Sequence, residues 1–282
     1  MTMISFLIGC TLMTSPAAVE TLTTPDPKQL LTKMIAQINQ TKSLSYTFKK
    51  RERVQHGFST AEQDIKLVTQ PMKAYIYVHQ PNKGTVAVWA ENENNGEVQV
   101  SPGWLPFVTI NLSPESDEFR KNNHHSIQKV GFEFLADIVN SSLQKHDSQL
   151  KDILHYGGQY VVNNRLCYKV TIDFKEYKYS SYTIKPHENL FQIAAKLKVN
   201  EFMLLLNNPH IRSFREVKAG QIIQVPTEYA KTTELYIDVE NMMPIVQKMY
   251  DEKGLFEHYE FKNLQYNPTF TTNLFLTSAG TH

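Results

Sequence analysis

Residues 182–226 read YTIKPHENLFQIAAKLKVNEFMLLLNNPHIRSFREVKAGQIIQVP, and this stretch decides how the chain is organised. Short apolar runs bounded by turn residues predict a strand at 182–185 and a closing strand at 221–225. Between them, apolar residues at helical spacing predict two helices, one at 190–197 and one at 202–206. A proline follows the second helix and cannot continue it. The stretch therefore predicts a small strand–helix–helix–strand module without a cysteine staple.

The module resembles a LysM domain. The motifs that carry the resemblance are YTIKP at 182–186, NLFQIA at 189–194, NNP at 207–209 and AGQIIQVP at 219–226. The resemblance implies binding of N-acetylglucosamine-containing glycans such as peptidoglycan strands. It also implies a groove between the loop after the first strand and the loop after the second helix. Carried over, the glycan-binding residues are Pro186, His187, Glu188, Asn189, Leu190, Asn208, Pro209, His210 and Ile211.

One departure from the LysM pattern bears on affinity. This chain has His187-Glu188 where the family usually has Gly-Asp. A glycine there would allow a positive φ and a close approach of the sugar. We therefore expect weaker glycan binding, and a LysM fold kept as a spacer or interaction module remains an alternative.

The first residues, MTMISFLIGCTLMTSPA, are typical of an export signal. The apolar run at 3–13 has the length of a signal core and is too short to span a membrane. Cleavage after 1–17 predicts a soluble exported protein, whereas LIGC at 7–10 matches a lipobox that would anchor the chain through Cys10. Both predict a location in the periplasm or cell envelope. No Lys or Arg precedes the run, so the true start could lie upstream.

Composition excludes some classes of function. The 282 residues are enough for one large or two small domains, and the net charge of +1 gives no basic surface for nucleic acid. After the signal, Cys167 is the only cysteine, so no intramolecular disulfide forms. We expect Cys167 to be a small packed residue.

The rest of the chain reads as helices and an antiparallel meander. A helix begins at Asp26-Pro27, an N-cap followed by proline at the first helical position. Further helices are predicted at 126–139 and 146–155. The predicted strands lie at 44–53, 62–70, 73–80, 84–91, 96–101, 159–162, 165–174, 234–239, 244–250 and 255–264, with turns between them.

The module interrupts this meander, so we predict it as an insertion. The host domain would comprise residues 26–176 and 232–266, and the module residues 181–226. Residues 271–282 are predicted to form a flexible tail. We call these two parts the host and the module.

The host resembles the bacterial domain-of-unknown-function family 1571, and more loosely the LolA-like lipoprotein-carrier fold. The motifs are SYTFKKRER at 45–53 and RKNNHHSI at 120–127. The resemblance implies an α+β fold in which a curved antiparallel β-sheet, a LolA-like half-barrel, wraps helices and leaves an apolar cavity. The small βααβ LysM module would be inserted in it. The expected ligand is apolar or lipidated, a lipid or a lipoprotein.

Several side chains are candidates for binding that ligand. Arg51 and Arg53 share a strand face and could hold an anionic headgroup, although a charge run is usually a solvated face. Trp89 and Trp104 could line a ligand mouth or simply pack. The adjacent His124 and His125 could bind a metal or a polar headgroup. Alternatively, one caps the helix near Ser126 and the other hydrogen-bonds the sheet.

No catalytic, metal-binding or cofactor motif is evident. A zinc site needs more ligands at suitable spacing, and neither CxxC nor HExxH occurs. The sequence therefore predicts a non-catalytic envelope protein that binds a ligand in the host and peptidoglycan through the module. A cell-wall turnover enzyme and a purely structural envelope protein without a ligand remain alternatives. The oligomeric state is not predicted.

Overall fold

The computed structural model describes residues 24–105 and 107–276. The predicted signal at 1–17, with Cys10, lies outside the described residues. The helices are α1 (Pro27–Gln40), α2 (Asp117–Arg120), α3 (Glu133–Lys145), α4 (Leu150–Ile153), α5 (Leu190–Leu197) and α6 (Glu201–Asn207). The strands are β1 (Ser43–Val54), β2 (Gly57–Val68), β3 (Lys73–Gln80), β4 (Val86–Ala90), β5 (Val98–Ser101), β6 (Ile110–Leu112), β7 (Leu154–Val162), β8 (Arg165–Asp173), β9 (Tyr179–Thr183), β10 (Ile222–Pro226), β11 (Thr232–Asp238), β12 (Pro244–Asp251) and β13 (Gly254–Tyr266).

Eleven strands form one curved antiparallel sheet in the order β6-β5-β4-β3-β2-β1-β13-β12-β11-β8-β7. Each of the first six strands pairs with its neighbour in sequence, as short connections require of a meander. The last strand, β13, pairs with the first strand, β1, in the middle of the sheet, with Phe48 opposite Phe261. This architecture confirms the predicted α+β class and the half-barrel that wraps helices.

Helices α1 and α3 fill the concave side of the sheet. Asp26 caps α1, since its side chain accepts from the Lys28 amide at 3.0 Å. The buried stripe of α1 includes Leu31 and Met34, both fully shielded from solvent. These residues share one apolar core with the inward side chains of the strands, such as Leu44. The core therefore lies between the sheet and the helices.

The module leaves and rejoins the sheet at neighbouring strands. β8 and β11 pair directly, with Asp173 opposite Thr232, so the whole module is inserted between two adjacent strands. Inside it, β9 and β10 form a separate two-stranded sheet beside α5 and α6. The module has its own apolar core, yet Met203 of α6 is buried in the core of the host. The module is therefore packed into the host as well as joined to it.

Two predicted helices differ from the structure, and two short elements were not predicted. The helix predicted at 126–139 is a 3-10 turn at Ile127–Lys129, a break, and then α3. The break falls at Gly131, whose φ of 102° is unavailable to a helix. The helix predicted at 146–155 ends at Ile153, and β7 runs on through Gly157 and Gly158 with a shift of register there. β6 and α2 are too short to give a periodic signal.

Buried residues also occur in the last described segment of the chain and at Cys167. A 3-10 turn at Thr272–Phe275 buries Phe275 near β3 and β4, within the flexible tail predicted at 271–282, and residues 277–282 of that prediction lie outside the described residues. Cys167 is fully buried, as predicted, and burial raises the pKa of its thiol to about 11. None of the helices in the described ranges combines the length and the apolar character needed to cross a bilayer.

Candidate functional site

A cavity of about 420 Å³ lies between the concave face of the sheet and the helices. Its wall combines a large apolar part with a polar part around β12 and β13. The buried apolar residues of the wall include Ile65, Ile76, Ile127, Leu135, Ile138 and Phe261. The exposed residues of the lining, which mark the mouth, are Thr60, Pro81, Asn82, Glu118, Lys121 and Asn122. Such a space suits an amphipathic ligand.

Alternation along β1 decides which of its charges face the cavity. Side chains two residues apart share a face of a strand. Tyr46 and Phe48 line the cavity, and the same face carries Lys50 and then Glu52 into it. The two arginines of this run, at 51 and 53, therefore lie on the other face. Lys50 and Glu52 continue the alternation that begins with Tyr46 and Phe48. This alternation was the signal in the sequence that could have identified them as inward-facing.

Glu52 is buried and fully engaged. Its carboxylate accepts from Lys50 Nζ at 2.5 Å, from the Tyr259 hydroxyl at 2.5 Å and from the backbone amide of His124 at 3.2 Å. Burial acts to raise the pKa of Glu52, but the charge of Lys50, supported by His124 and His125, outweighs it and lowers the pKa. This carboxylate is therefore a buried anion held by its donors.

Lys50 is equally engaged. Its ammonium group donates to Glu52, to the carbonyl of Asn122 at 3.2 Å and to Oδ1 of Asn123 at 2.7 Å. A lysine has three N–H donors, so none is left for another acceptor. Although Lys50 lines the cavity, it is a structural cation within a network.

Glu257 joins both adjacent histidines. Its Oε1 lies 2.8 Å from Nδ1 of His124 and 3.3 Å from Nε2 of His125, and the amide of Asn200 donates to it at 2.8 Å. The Tyr229 hydroxyl completes the shell at 3.2 Å from Oε2. Burial acts to raise the pKa of Glu257, but the histidines outweigh burial and lower it. Glu257 was not among the predicted site residues, although it is in phase with the inward residues of β13.

The network continues into the module. Glu201 accepts from Arg120 at 3.0 Å and from Lys129 at 2.8 Å, and 1% of its side chain is exposed. Burial acts to raise the pKa of Glu201, but Lys129 and Arg120 outweigh it and lower the pKa. Asn200, the N-cap of α6, also bonds Glu257 of the sheet. Two neighbouring residues of the module therefore belong to the polar network behind the cavity.

The structure separates the two predicted histidines. His125 lines the cavity, whereas His124 is completely buried behind it. His124 directs Nε2 to the carbonyl of Arg53 at 2.7 Å, which matches the alternative that one histidine hydrogen-bonds the sheet. The other does not cap a helix, because the N-cap of the 3-10 turn at Ile127–Lys129 is Ser126, and no side chain caps that turn. Among the described residues, no group of three or more His, Cys, Asp or Glu is arranged to hold a metal ion.

The other predicted ligand residues lie away from the cavity. Arg51 is exposed and lies over the ring of Phe58 at 4.1 Å, while Arg53 pairs with Asp251. Trp89 is buried in the core with its indole N–H donating to Gly96, and Trp104 is 78% exposed in a loop. For the arginines the reason is the phase of β1. For Trp104 it is a loop position that no periodic pattern fixes.

The nine predicted groove residues of the module divide by exposure. Those open to solvent are Pro186, His187, Pro209 and His210, and Glu188 and Asn189 are half-buried. The remaining three, Leu190, Asn208 and Ile211, are buried and support the loops from inside. Asn208, for example, donates to the carbonyls of Leu204 and Gln224. Only the exposed and half-buried members have a surface that a glycan could contact.

Glu188 and His187 hold the first loop of the groove. The Glu188 carboxylate accepts from the Lys185 amide at 3.0 Å, from Lys196 at 2.9 Å and from the Tyr182 hydroxyl at 2.8 Å. These bonds, the backbone one first, lower the pKa of Glu188 to about 2. His187 has a φ of 66°, the left-handed conformation that glycine adopts at low cost. The residue therefore takes the glycine conformation without being glycine.

Two family models match this chain, and their matches overlap at residues 182–199. The model of a family described as "Protein of unknown function (DUF1571)" matches residues 41–199, and a LysM domain model matches residues 182–226. No curated protein matches this chain.

Several solved structures are similar to this chain at low identity. The complex structure of Pseudomonas aeruginosa MucA/MucB is 13% identical over 90% of this chain and 62% of that chain, with a TM-score of 0.42. The Mycobacterium tuberculosis lipoprotein LppX is 12% identical over 87% of this chain and 99% of that chain, with a TM-score of 0.42. A LolA superfamily protein from Nitrosomonas europaea is 8% identical over 89% and 97%, with a TM-score of 0.32. This chain thus spans less than two thirds of the MucB chain that it matches.

Proposed function

The chain belongs to the family described as "Protein of unknown function (DUF1571)", and from that premise we propose that its host part binds an apolar or lipidated ligand. The observation that carries the proposal is the cavity of about 420 Å³ with its apolar wall. Ligand pockets commonly measure about 300–1,000 Å³ and combine apolar walls with a few polar groups. A lipid or the acyl chain of a lipoprotein fits this description.

The cavity can be tested by filling it. Ala61 lines the cavity, and a tryptophan there would occupy space that a ligand needs. Glu62, the next residue of β2, pairs with Lys49 at 3.0 Å and is not part of the lining, so Glu62→Trp is the matched control. We expect the wild type and Glu62→Trp to enhance the fluorescence of N-phenyl-1-naphthylamine and to release lipid that mass spectrometry identifies. Ala61→Trp should do neither.

A wild type that binds neither the dye nor lipid would overturn the proposal. The structural role without a ligand would then take its place. If all three proteins bind the dye equally, the ligand lies elsewhere and the cavity assignment fails.

The module's proposed partner is peptidoglycan, which the LysM match at 182–226 supports. The backbone of the first loop and the exposed side chains of the second are the proposed contact surface, so the variant His210→Ala should sediment less with purified sacculi. Lys218→Ala, an exposed change outside those loops, is the control. Point variants are preferable to deletion of residues 182–226, since deletion would also remove Glu201 from the buried network. Equal sedimentation of all proteins, or of none, would reject the groove.

No catalytic role is part of the proposal. A glycoside hydrolase needs a general acid with a raised pKa. The two buried carboxylates at the cavity, Glu52 and Glu257, instead have lowered pKa values and are saturated by donors. Zymography on peptidoglycan checks this, and a cleared band would favour the alternative of a cell-wall turnover enzyme.

The proposed location is the cell envelope, after export. Metabolic labelling with a fatty acid, with Cys10→Ser as the control, separates a lipid-anchored protein from one released by cleavage after residue 17. Incorporation of label that the substitution removes would establish the anchor.

A further inference from the structure

We propose that the β12–β13 end of the cavity selects a ligand with an uncharged, hydrogen-bonding headgroup, recognised by Gln247 and His125. This inference rests on the proposed function, because it assigns the class of ligand for the same cavity. It begins from two polar atoms in the wall that lack partners. Within the part of the chain that the structure describes, Oε1 of Gln247 and Nδ1 of His125 are buried without a hydrogen bond.

Both residues are neighbours of one tyrosine, Tyr259. Gln247 of β12 is the cross-strand partner of Tyr259, so both side chains point to the concave face. The ring of His125 lies 6.2 Å from the ring of Tyr259, centroid to centroid, at a steep angle. All three residues line the cavity. Their free polar atoms therefore belong to one end of it.

The lack of hydrogen bonds to Oε1 of Gln247 and Nδ1 of His125 matters because both atoms are buried. Gln247 is 7% exposed, and a buried polar atom without a partner costs free energy that a bound group can recover. Its carboxamide offers an acceptor oxygen and a donor nitrogen, so either orientation presents a polar group to the cavity. A ligand hydroxyl can donate to one atom and accept from another. A headgroup with hydroxyl groups therefore complements this end.

The charges nearby argue against an anionic headgroup. The cations of the network are already bound to carboxylates: the buried Lys50 to Glu52, and the buried Arg120 and the partly exposed Lys129 to Glu201. The ammonium of Lys50 has used all its donors. A buried anion without a free counter-charge is costly, whereas a neutral hydroxyl is not. This favours a neutral headgroup over a carboxylate or a phosphate.

Competition with a dye tests the proposal. The purified full chain, loaded with N-phenyl-1-naphthylamine, is titrated with 1-monooleoylglycerol, oleate and oleoyl-lysophosphatidylglycerol, which share one acyl chain. We expect the glycerol ester to displace the dye at a concentration about tenfold below that of oleate, since it makes the hydrogen bonds that the wall lacks. Oleate or the phosphate lipid displacing the dye equally well or better would overturn the proposal.

A substitution at Gln247 tests whether this residue recognises the headgroup. Gln247→Met keeps the size of the side chain and removes its polar atoms, so displacement by the glycerol ester should weaken by about tenfold while displacement by oleate stays unchanged. Lys248→Met, the next residue of β12 and outside the lining, is the matched control and should change neither. Equal effects of Gln247→Met on both ligands would refute its role. If that variant fails to fold, the wild-type comparison of the three lipids still decides the headgroup class.

The outcomes keep the two proposals apart. A wild type that binds neither the dye nor lipid fails the proposed function itself. A wild type that binds the dye and all three lipids alike retains the proposed function and fails this inference alone.

Discussion

Arg120 of the host and Glu201 of the module form an ion pair of 3.0 Å in which 1% of each side chain is exposed. The guanidinium also donates to the carbonyl of His124 at 2.6 Å and lies 5.1 Å from the ring centre of Phe191 in the module. The two parts of the chain thus meet through a buried charge pair.

Loss of this pair is expected to destabilise the whole chain. Glu201→Ala leaves the cations Arg120 and Lys129 without their carboxylate, and breaking a buried pair costs about 3–5 kcal/mol. Urea unfolding measures the change. Asp137→Ala is the matched control, because its pair with Lys198 also joins host and module but is half-exposed. That pair should contribute under about 1 kcal/mol. Similar losses for both variants would contradict a special role of the buried pair.

Gly131 permits the break before α3, and we expect it to tolerate no side chain. An added Cβ would lie 2.6 Å from Cδ2 of Leu67 at a φ of 102°. Gly131→Ala therefore combines backbone strain with overpacking, which together cost about 2–4 kcal/mol. Gly57→Ala controls for strain alone, since its φ is 87° with no atom within 4 Å of the new Cβ. Thermal unfolding should rank wild type first, Gly57→Ala second and Gly131→Ala last, and equal losses would reject the steric contribution.

The stability contributed by Glu188 is expected to depend on acid. Its pKa is lowered to about 2 in the folded state by the Lys185 amide and Lys196. A lowered carboxyl pKa means that the contribution is complete above the unfolded pKa of about 4.3 and is lost as pH falls toward the folded value. The difference in melting temperature between wild type and Glu188→Gln should therefore be largest near neutral pH and shrink below about pH 4. A difference that stays constant with pH would mean that the carboxylate charge contributes nothing.

Replacing His187 by glycine should help the module bind glycan. The left-handed φ of 66° is strained for histidine, so His187→Gly relieves up to about 1 kcal/mol while opening the backbone to a sugar. We expect more of this variant than of wild type to sediment with sacculi. Lys198→Gly, which also replaces a left-handed residue of the module, at a φ of 55°, should leave sedimentation unchanged. Reduced sedimentation of His187→Gly would instead indicate that the imidazole itself contacts the glycan.

Local patterns predicted the elements better than the contacts between them. The hairpin at Asn163-Asn164 is confirmed, since both residues have the positive φ that such a turn requires. The continuous helix predicted from Ser126 is wrong, because apolar spacing continues across Gly131 although the backbone cannot. Periodicity reports which residues are apolar and does not report the φ of one glycine.

In the candidate site, too, local patterns indicate which residues face inward but not which distant residues pair. The alternation of β1 carried the information that Lys50 and Glu52 face inward, in phase with Tyr46. The predicted Arg51 and Arg53 lie on the opposite face of the strand. The pairing of Arg120 with Glu201 joins residues 81 positions apart, and no local pattern specifies such a partner. The groove loops of the module followed from its motifs, but burial of Asn208 and Ile211 follows from packing that motifs do not report.

The adjacency of β8 and β11 has a consequence for proteolysis. The segments before and after the module join two paired strands, with Asp173 opposite Thr232. The module is therefore joined to the host by two covalent connections that lie side by side. A protease that cuts one of them leaves the other intact, along with the buried Arg120–Glu201 pair. A singly nicked chain should therefore migrate intact on a native gel and separate into two fragments only in denaturant.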